Sequence, residues 1–183
     1  MSASRNPSSE PDLRYPIGSF QPPTDATAAN RTAWLREIEE LPRILSEAVA
    51  GLNDEQLDTP YRPGGWTVRQ VVHHLADSHL NSYQRYRLAV TEDSPLVNAF
   101  NEAAWAELAD AKTLPVDVSL ALLQSLHTRW VFLVRSLSEE QLTRTYKHPE
   151  RGDMRLDATL GMYAWHGRHH VAHIRNLRDR ERW

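Results

Sequence analysis

Four histidines fall within eight residues near the end of the chain: His166, His169, His170 and His173, in the run WHGRHHVAHI. In a helix, a rotation of ~100° per residue puts His166, His170 and His173 on one stripe and His169 on the far side. The i,i+4 step from His166 to His170 brings two imidazoles close enough to grip one ion. A third ligand must come from elsewhere, and the segment HHLADSH, which holds His73, His74 and His79, is the obvious donor. The chain has no cysteine, so disulfides, thiolate metal sites and a cysteine nucleophile are excluded. Any metal site must therefore use nitrogen and oxygen ligands, mainly imidazole.

The elements that carry these residues read as helices. Trp34, Leu35, Ile38, Leu41, Leu45, Ala48 and Val49 recur at three- and four-residue steps from about Asp25 onward, with a kink or break expected at Pro42. A second helix is expected from Val68 to about Val90. It opens on a Thr67/Gln70 capping box after the turn Pro63-Gly64-Gly65. A third follows Asp117, and a fourth runs from Leu156 to about Arg180 with the histidine cluster on it. Between the second and third, SPLVNAFNEAAWAEL predicts one short helix, and Arg144–His148 or Met154–Leu156 could form a short strand. Four helices of ~20 residues imply an all-α four-helix bundle with one or two short extra helices. The division expected is an irregular N-terminal arm over 1–24, rich in proline and serine, and a single domain over 25–183. LNDEQLDTPY and LSEEQLTRTY form a faint internal repeat. It suggests two helix pairs, each delivering histidine to one place.

Phase along the second helix separates its candidates. Val68, Val72, Leu75, His79, Tyr83 and Tyr86 share one face, so His79 lies in the apolar stripe. There it could equally be a core histidine bonded to a neighbour. His74 borders the stripe, and His73 points more toward solvent. Helix phase thus favours His74 or His79 as third ligand without choosing between them. Trp66 and Trp165 could wall a pocket, although core packing is the commoner role of such residues.

The run TPYRPGGWTVRQVVHHLADSHLNSY, with WHGRHHVAHI and the opening YPIG, closely resembles the YfiT-like branch of the DinB superfamily, from about Tyr15 to the C-terminus. That resemblance implies a four-helix bundle with one divalent metal per subunit, zinc or nickel. The ligands it implies are His74 from the second helix and His166 and His170 from the last. It implies a homodimer as well. The activity associated with the branch is metal-dependent hydrolysis of a small molecule. Related members resemble S-transferases that use low-molecular-weight thiols such as bacillithiol.

Three imidazoles leave a coordination position open, as catalytic rather than structural sites do. Water activation for hydrolysis is the leading expectation, and thiol transfer to an electrophile is the alternative. A reading of another class is a non-catalytic, stress-related bundle stapled by the ion. No carboxylate has an obvious general-base position. Asp77, one turn from His74, could orient that ligand or a water. Composition sets the outer limits. A net charge of -3, from 21 basic and 24 acidic residues, argues against nucleic acid as a partner. No signal-peptide pattern or membrane-span run is evident, so a cytoplasmic protein that does not bind membranes is expected.

Overall fold

The computed structural model describes residues 12–23 and 25–183. In chain order the elements are α1 (Ala28–Val49), α2 (Asp54–Leu57), α3 (Val68–Thr91), α4 (Glu102–Ala106), α5 (Ala109–Thr113), α6 (Val116–Ser136), α7 (Glu139–Leu142), β1 (Thr145–His148), β2 (Gly152–Arg155) and α8 (Leu156–Glu181). Four long helices, α1, α3, α6 and α8, form the bundle, and each falls where periodicity places it. Four short helices accompany them among the described residues, rather than one or two. They are single turns, too short to show a period. The strand segments on either side of residue 150 pair into one antiparallel hairpin.

Capping explains where several elements start. Thr67 Oγ1 accepts from the Gln70 backbone N–H at 3.1 Å, and Gln70 Oε1 accepts from the Thr67 N–H at 2.9 Å. The same reciprocal box opens α2 with Asn53 and Gln56, and α7 with Ser138 and Gln141. Such a cap is worth about 1 kcal/mol. The two repeat segments are therefore the same local device, placed after α1 and after α6.

The packing order does not follow the chain. α1 lies against α8 and α6, and α3 lies against α6 and α8, so the consecutive long helices α1 and α3, like α6 and α8, sit diagonally. Each link that begins with a capped turn thus crosses the bundle. α8 lies close on α1 at Gly167, where an added Cβ would come within 2.6 Å of the Leu41 side chain. The buried Tyr86 hydroxyl donates to the Leu156 carbonyl at 2.5 Å, which fixes the start of α8 against α3.

Two apolar clusters make up the core. One gathers Ile38, Tyr86, Trp130, Leu156 and Leu160, and the other gathers Leu45, Val72, Leu75, Leu123 and Ile174. Between them, at one level of the bundle, lie His79 and His127, 0% and 1% exposed. A polar layer inside a core is costly unless its hydrogen bonds are complete. Here all four ring nitrogens of the two histidines have partners.

α1 runs unbroken through Pro42. A proline has no N–H to give the carbonyl four residues before it, so Ile38 O is left without its helical donor. That carbonyl is taken instead by His127 Nδ1–H at 2.5 Å.

Candidate metal centre

His74 on α3 and His166 and His170 on α8 each present one ring nitrogen, all lying within 4.8 Å of one another. His74 Nε2 and His166 Nε2 are 3.2 Å apart. Two ligands ~2.0–2.1 Å from a tetrahedral ion stand ~3.3 Å apart, so the pair already has the spacing of such a site. His170 Nδ1 is buried with no hydrogen-bond partner. The donor set, three imidazoles and no thiolate, suits a borderline divalent ion.

The histidine layer dictates the tautomer of His166. The carbonyl of Ile38 can only accept, so His127 carries its proton on Nδ1 and offers a lone pair at Nε2. His79 Nδ1–H donates to that atom at 2.9 Å, which leaves His79 Nε2 as an acceptor. His166 Nδ1–H donates to His79 Nε2 at 3.3 Å. The lone pair of His166 is thereby placed on Nε2, the atom facing His74. The assignment follows from the network of heavy atoms alone. Outer partners of this kind commonly hold a ligating imidazole in place.

Burial pushes every imidazole of the site toward its neutral, ligating form. His74 is lowered to about 4 and His127 to about 4, chiefly by desolvation. His79, His166 and His170 are lowered well below the ordinary imidazole range by burial first and by neighbouring histidines second.

The remaining candidates fall into place differently. His73, expected toward solvent, is 5% exposed, because the α5–α6 link covers it: Ser119 Oγ is 2.7 Å from Nδ1 and the Leu114 carbonyl 3.0 Å from Nε2. His169, expected on the far side, is buried too, stacked on Trp165 at 4.5 Å between ring centres and faced by Tyr15 of the N-terminal arm. His169, His170 and His173 form a second set within 4.8 Å, sharing His170 with the first. In that set the Nδ1 of His169 and that of His173 are, like His170 Nδ1, buried with no hydrogen-bond partner, and His173 is held from its other side. Its Nε2–H donates to the Arg14 carbonyl at 3.2 Å and its ring stacks on Tyr61 at 3.9 Å. Asp77 does not line the cavity beside the triad. Its carboxyl is raised to about 6 by burial and then by the Asp110 charge, a direction that faces α5. His127 was not among the sequence candidates. Its signal was its place in the α6 core stripe, four residues after Leu123 and three before Trp130.

The triad opens on a cavity of about 1090 Å³, walled by Tyr61, Trp66, Phe100 and Trp165 among others, with polar groups from Arg85, Tyr146 and His148. Trp66 lies 4.6 Å from the His74 ring and Phe20 5.8 Å from Trp165. A concave pocket that combines aromatic walls with convergent polar groups is a common form of small-molecule site.

The orphaned nitrogen, the fixed tautomer and the donor spacing together predict a graded response. His127→Leu removes the acceptor for His79 and frees the His166 ring, so zinc affinity measured by competition titration should fall about 10- to 100-fold. His127→Gln, whose Oε1 can accept from His79 Nδ1–H, should restore most of it. Equal affinity in wild type and the leucine variant would show that the relay does not act on the site.

Comparison with known proteins agrees with this architecture. The DinB superfamily signature matches residues 37–174. A Bacillus cereus protein named "Putative metal-dependent hydrolase" is 56% identical over 172 residues, 94% of this chain and 99% of its own length. A relative from Bacillus thuringiensis subsp. konkukian of the same description is equally similar, at 56%. The solved structure of YfiT from Bacillus subtilis, described as a probable metal-dependent hydrolase with an unusual four-helix bundle topology, superposes with a TM-score of 0.91 at 49% identity, covering 93% of this chain and 98% of that one. The four-helix bundle protein TT2238, at 20% identity and a TM-score of 0.56, shares the fold. No helix among the described residues is long and apolar enough to cross a membrane. The chain belongs to the DinB superfamily, in its YfiT-like branch.

Proposed function

We propose that this protein is a metal-dependent hydrolase of small molecules, with one divalent ion, zinc or nickel, held by His74, His166 and His170. The observation that carries the reading is the convergence of three neutral imidazoles on a large cavity, with no fourth protein ligand in that group among the described residues. The names of its relatives point the same way. When bound, the ion would supply Lewis acidity and lower the pKa of water it holds toward ~7. The chain's own residues do the rest. Ile38, His127 and His79 hold the His166 ring, Trp66 packs on His74, and the aromatic walls offer faces for the bound molecule to pack on. No side chain among the described cavity residues stands out as a general base, so proton transfer is left to groups on the substrate or to solvent.

The test is turnover of a panel of activated esters and amides by the full-length protein. The expected result is a rate that falls to background after chelation, returns with one equivalent of zinc or nickel, and is unchanged when thiols are absent. A rate indifferent to chelation overturns the reading. Turnover that requires an added low-molecular-weight thiol, with the thiol consumed in step, would replace hydrolysis by thiol transfer.

A further inference from the structure

Two arginines on α3 are almost fully buried, and they are provided for very differently. Arg69 is 5% exposed and meets Asp58 at 2.6 Å and Asp54 at 2.8 Å. Arg85 is 6% exposed and meets no carboxylate among the described residues. Its partners are both uncharged: the Tyr163 hydroxyl at 3.3 Å and the Asn98 carbonyl at 2.9 Å. A buried charge without a counter-charge costs several kcal/mol and is seldom retained for stability. The guanidinium also cannot shed its proton to escape that cost.

The position of Arg85 is as informative as its solitude. It lines the same cavity as His74, His166 and His170, and Tyr163 lies between them, with its ring 6.0 Å from that of His166. The surroundings at this end of the cavity are positive. Arg151 borders it, and the charges of Arg85 and Arg151 both help hold the His148 imidazole below its ordinary pKa, after desolvation. Tyr146, directly beside, is neutral and buried. The acidic residues bordering the cavity, Glu102 and Glu150, are exposed and pair with neither arginine.

We propose that Arg85 is the receptor for an oxyanion on the substrate, a carboxylate or a phosphoryl group, which supplies the missing counter-charge. The substrate is then an anionic small molecule that spans the cavity. Its anion meets Arg85 near Tyr146 and Tyr163, and its reactive bond reaches the histidine triad. A planar guanidinium suits both oxyanions because it can offer two parallel N–H donors. This proposal rests on the reading of the triad as the reacting end of the same cavity, but its test does not need the metal.

The experiment measures the thermal unfolding midpoint of the full-length chain after chelation, in chloride, acetate or inorganic phosphate at matched ionic strength. In wild type, acetate or phosphate should raise the midpoint over chloride, and whichever acts more strongly identifies the class of oxyanion. Arg85→Gln should lose that response, with anion affinity about 10- to 100-fold weaker by titration. Arg85→Met should lose it as well, while its midpoint in chloride rises above that of wild type, since the unpaired charge has gone. The same anion response in wild type and Arg85→Gln overturns the proposal. So does a wild type indifferent to both anions, or a methionine variant that melts lower, which would make Arg85 a structural clamp on Asn98 and Tyr163. Failure of the metal reading would appear separately, as absent zinc binding by the untreated wild type.

Discussion

Zinc affinity is expected to fall by about 10²- to 10³-fold when His166 is replaced by alanine, a loss matched only at the two other proposed ligands. Four-ligand zinc sites draw ~10–16 kcal/mol from their ligands, so one ligand is worth about 2.5–4 kcal/mol. His166 is both a ligand in the proposed set and the end of the relay from Ile38, so its loss removes a donor and releases the layer that aims it. His74→Ala and His170→Ala should cost a similar amount. His79→Ala should fall between these and the outer His127→Leu, because it leaves three ligands but unfixes one. Competition titration with a chromophoric chelator measures the series. The same experiment separates the two overlapping histidine sets. If His169→Ala or His173→Ala loses as much affinity as His166→Ala, the ion sits in the second set and the proposed triad is wrong. Full affinity in the His166 variant would end the case for the proposed triad and leave only the set of His169, His170 and His173.

How far such a site can be read from sequence depends on whether one helix or several determine a residue's surroundings. The four long helices were legible because each shows its own apolar stripe. The i,i+4 pair His166 and His170 was legible because both residues ride on one element. Periodicity could not see what covers a helix. His73 looks solvent-facing by phase, yet the α5–α6 link seals it; His169, read as lying on the far side, is only ~60° from His166 on the helix, and the N-terminal arm covers it. Phase left His74 and His79 undecided because both do border the same interior. In the structure one faces the triad and the other stands behind it. The diagonal placement of α1 and α3 leaves no trace in any stripe, since each helix is buried on one face whichever neighbour it meets. Pro42 shows the gap most sharply. Alone it reads as a kink or break, and only the facing helix explains it, because the carbonyl it frees is the one His127 needs. Arg85 was equally silent, since a charged residue on a helix is normally a solvated one.

The metal-free protein is expected to lose most of its stability between pH 6.5 and about pH 5, an effect comparable to its whole folding free energy. The sign follows from the direction of the shifts. His74 and His127 are held at about 4, and His79, His166 and His170 well below the ordinary value, all mainly by burial. The unfolded chain binds a proton on each near 6.5, while the folded chain does not. Stability is therefore fully present above pH 6.5 and declines as pH falls toward 4. Asp77 opposes this. Its carboxyl, raised to about 6, and that of Glu37, also raised by burial, are protonated in the folded state before the unfolded one, while His169 and His173, held at about 4, and His73 and His148, lowered by burial, add to the loss. At least four protons remain on balance, roughly 5 kcal/mol per pH unit or more where the unfolded histidines are charged and the folded ones are not. A domain of ordinary stability, ~5–15 kcal/mol, cannot withstand that for much more than one or two units. Urea denaturation after chelation, from pH 7.5 to pH 5, measures the slope, and His127→Gln should reduce it by about one proton. Saturating zinc should move the transition to lower pH, because an ion that binds only the folded chain adds its own binding free energy. Equal stability at pH 7.5 and pH 5.5 without metal would mean that the layer admits protons freely. In that case the relay that fixes His166 would not hold as a single hydrogen-bonded chain.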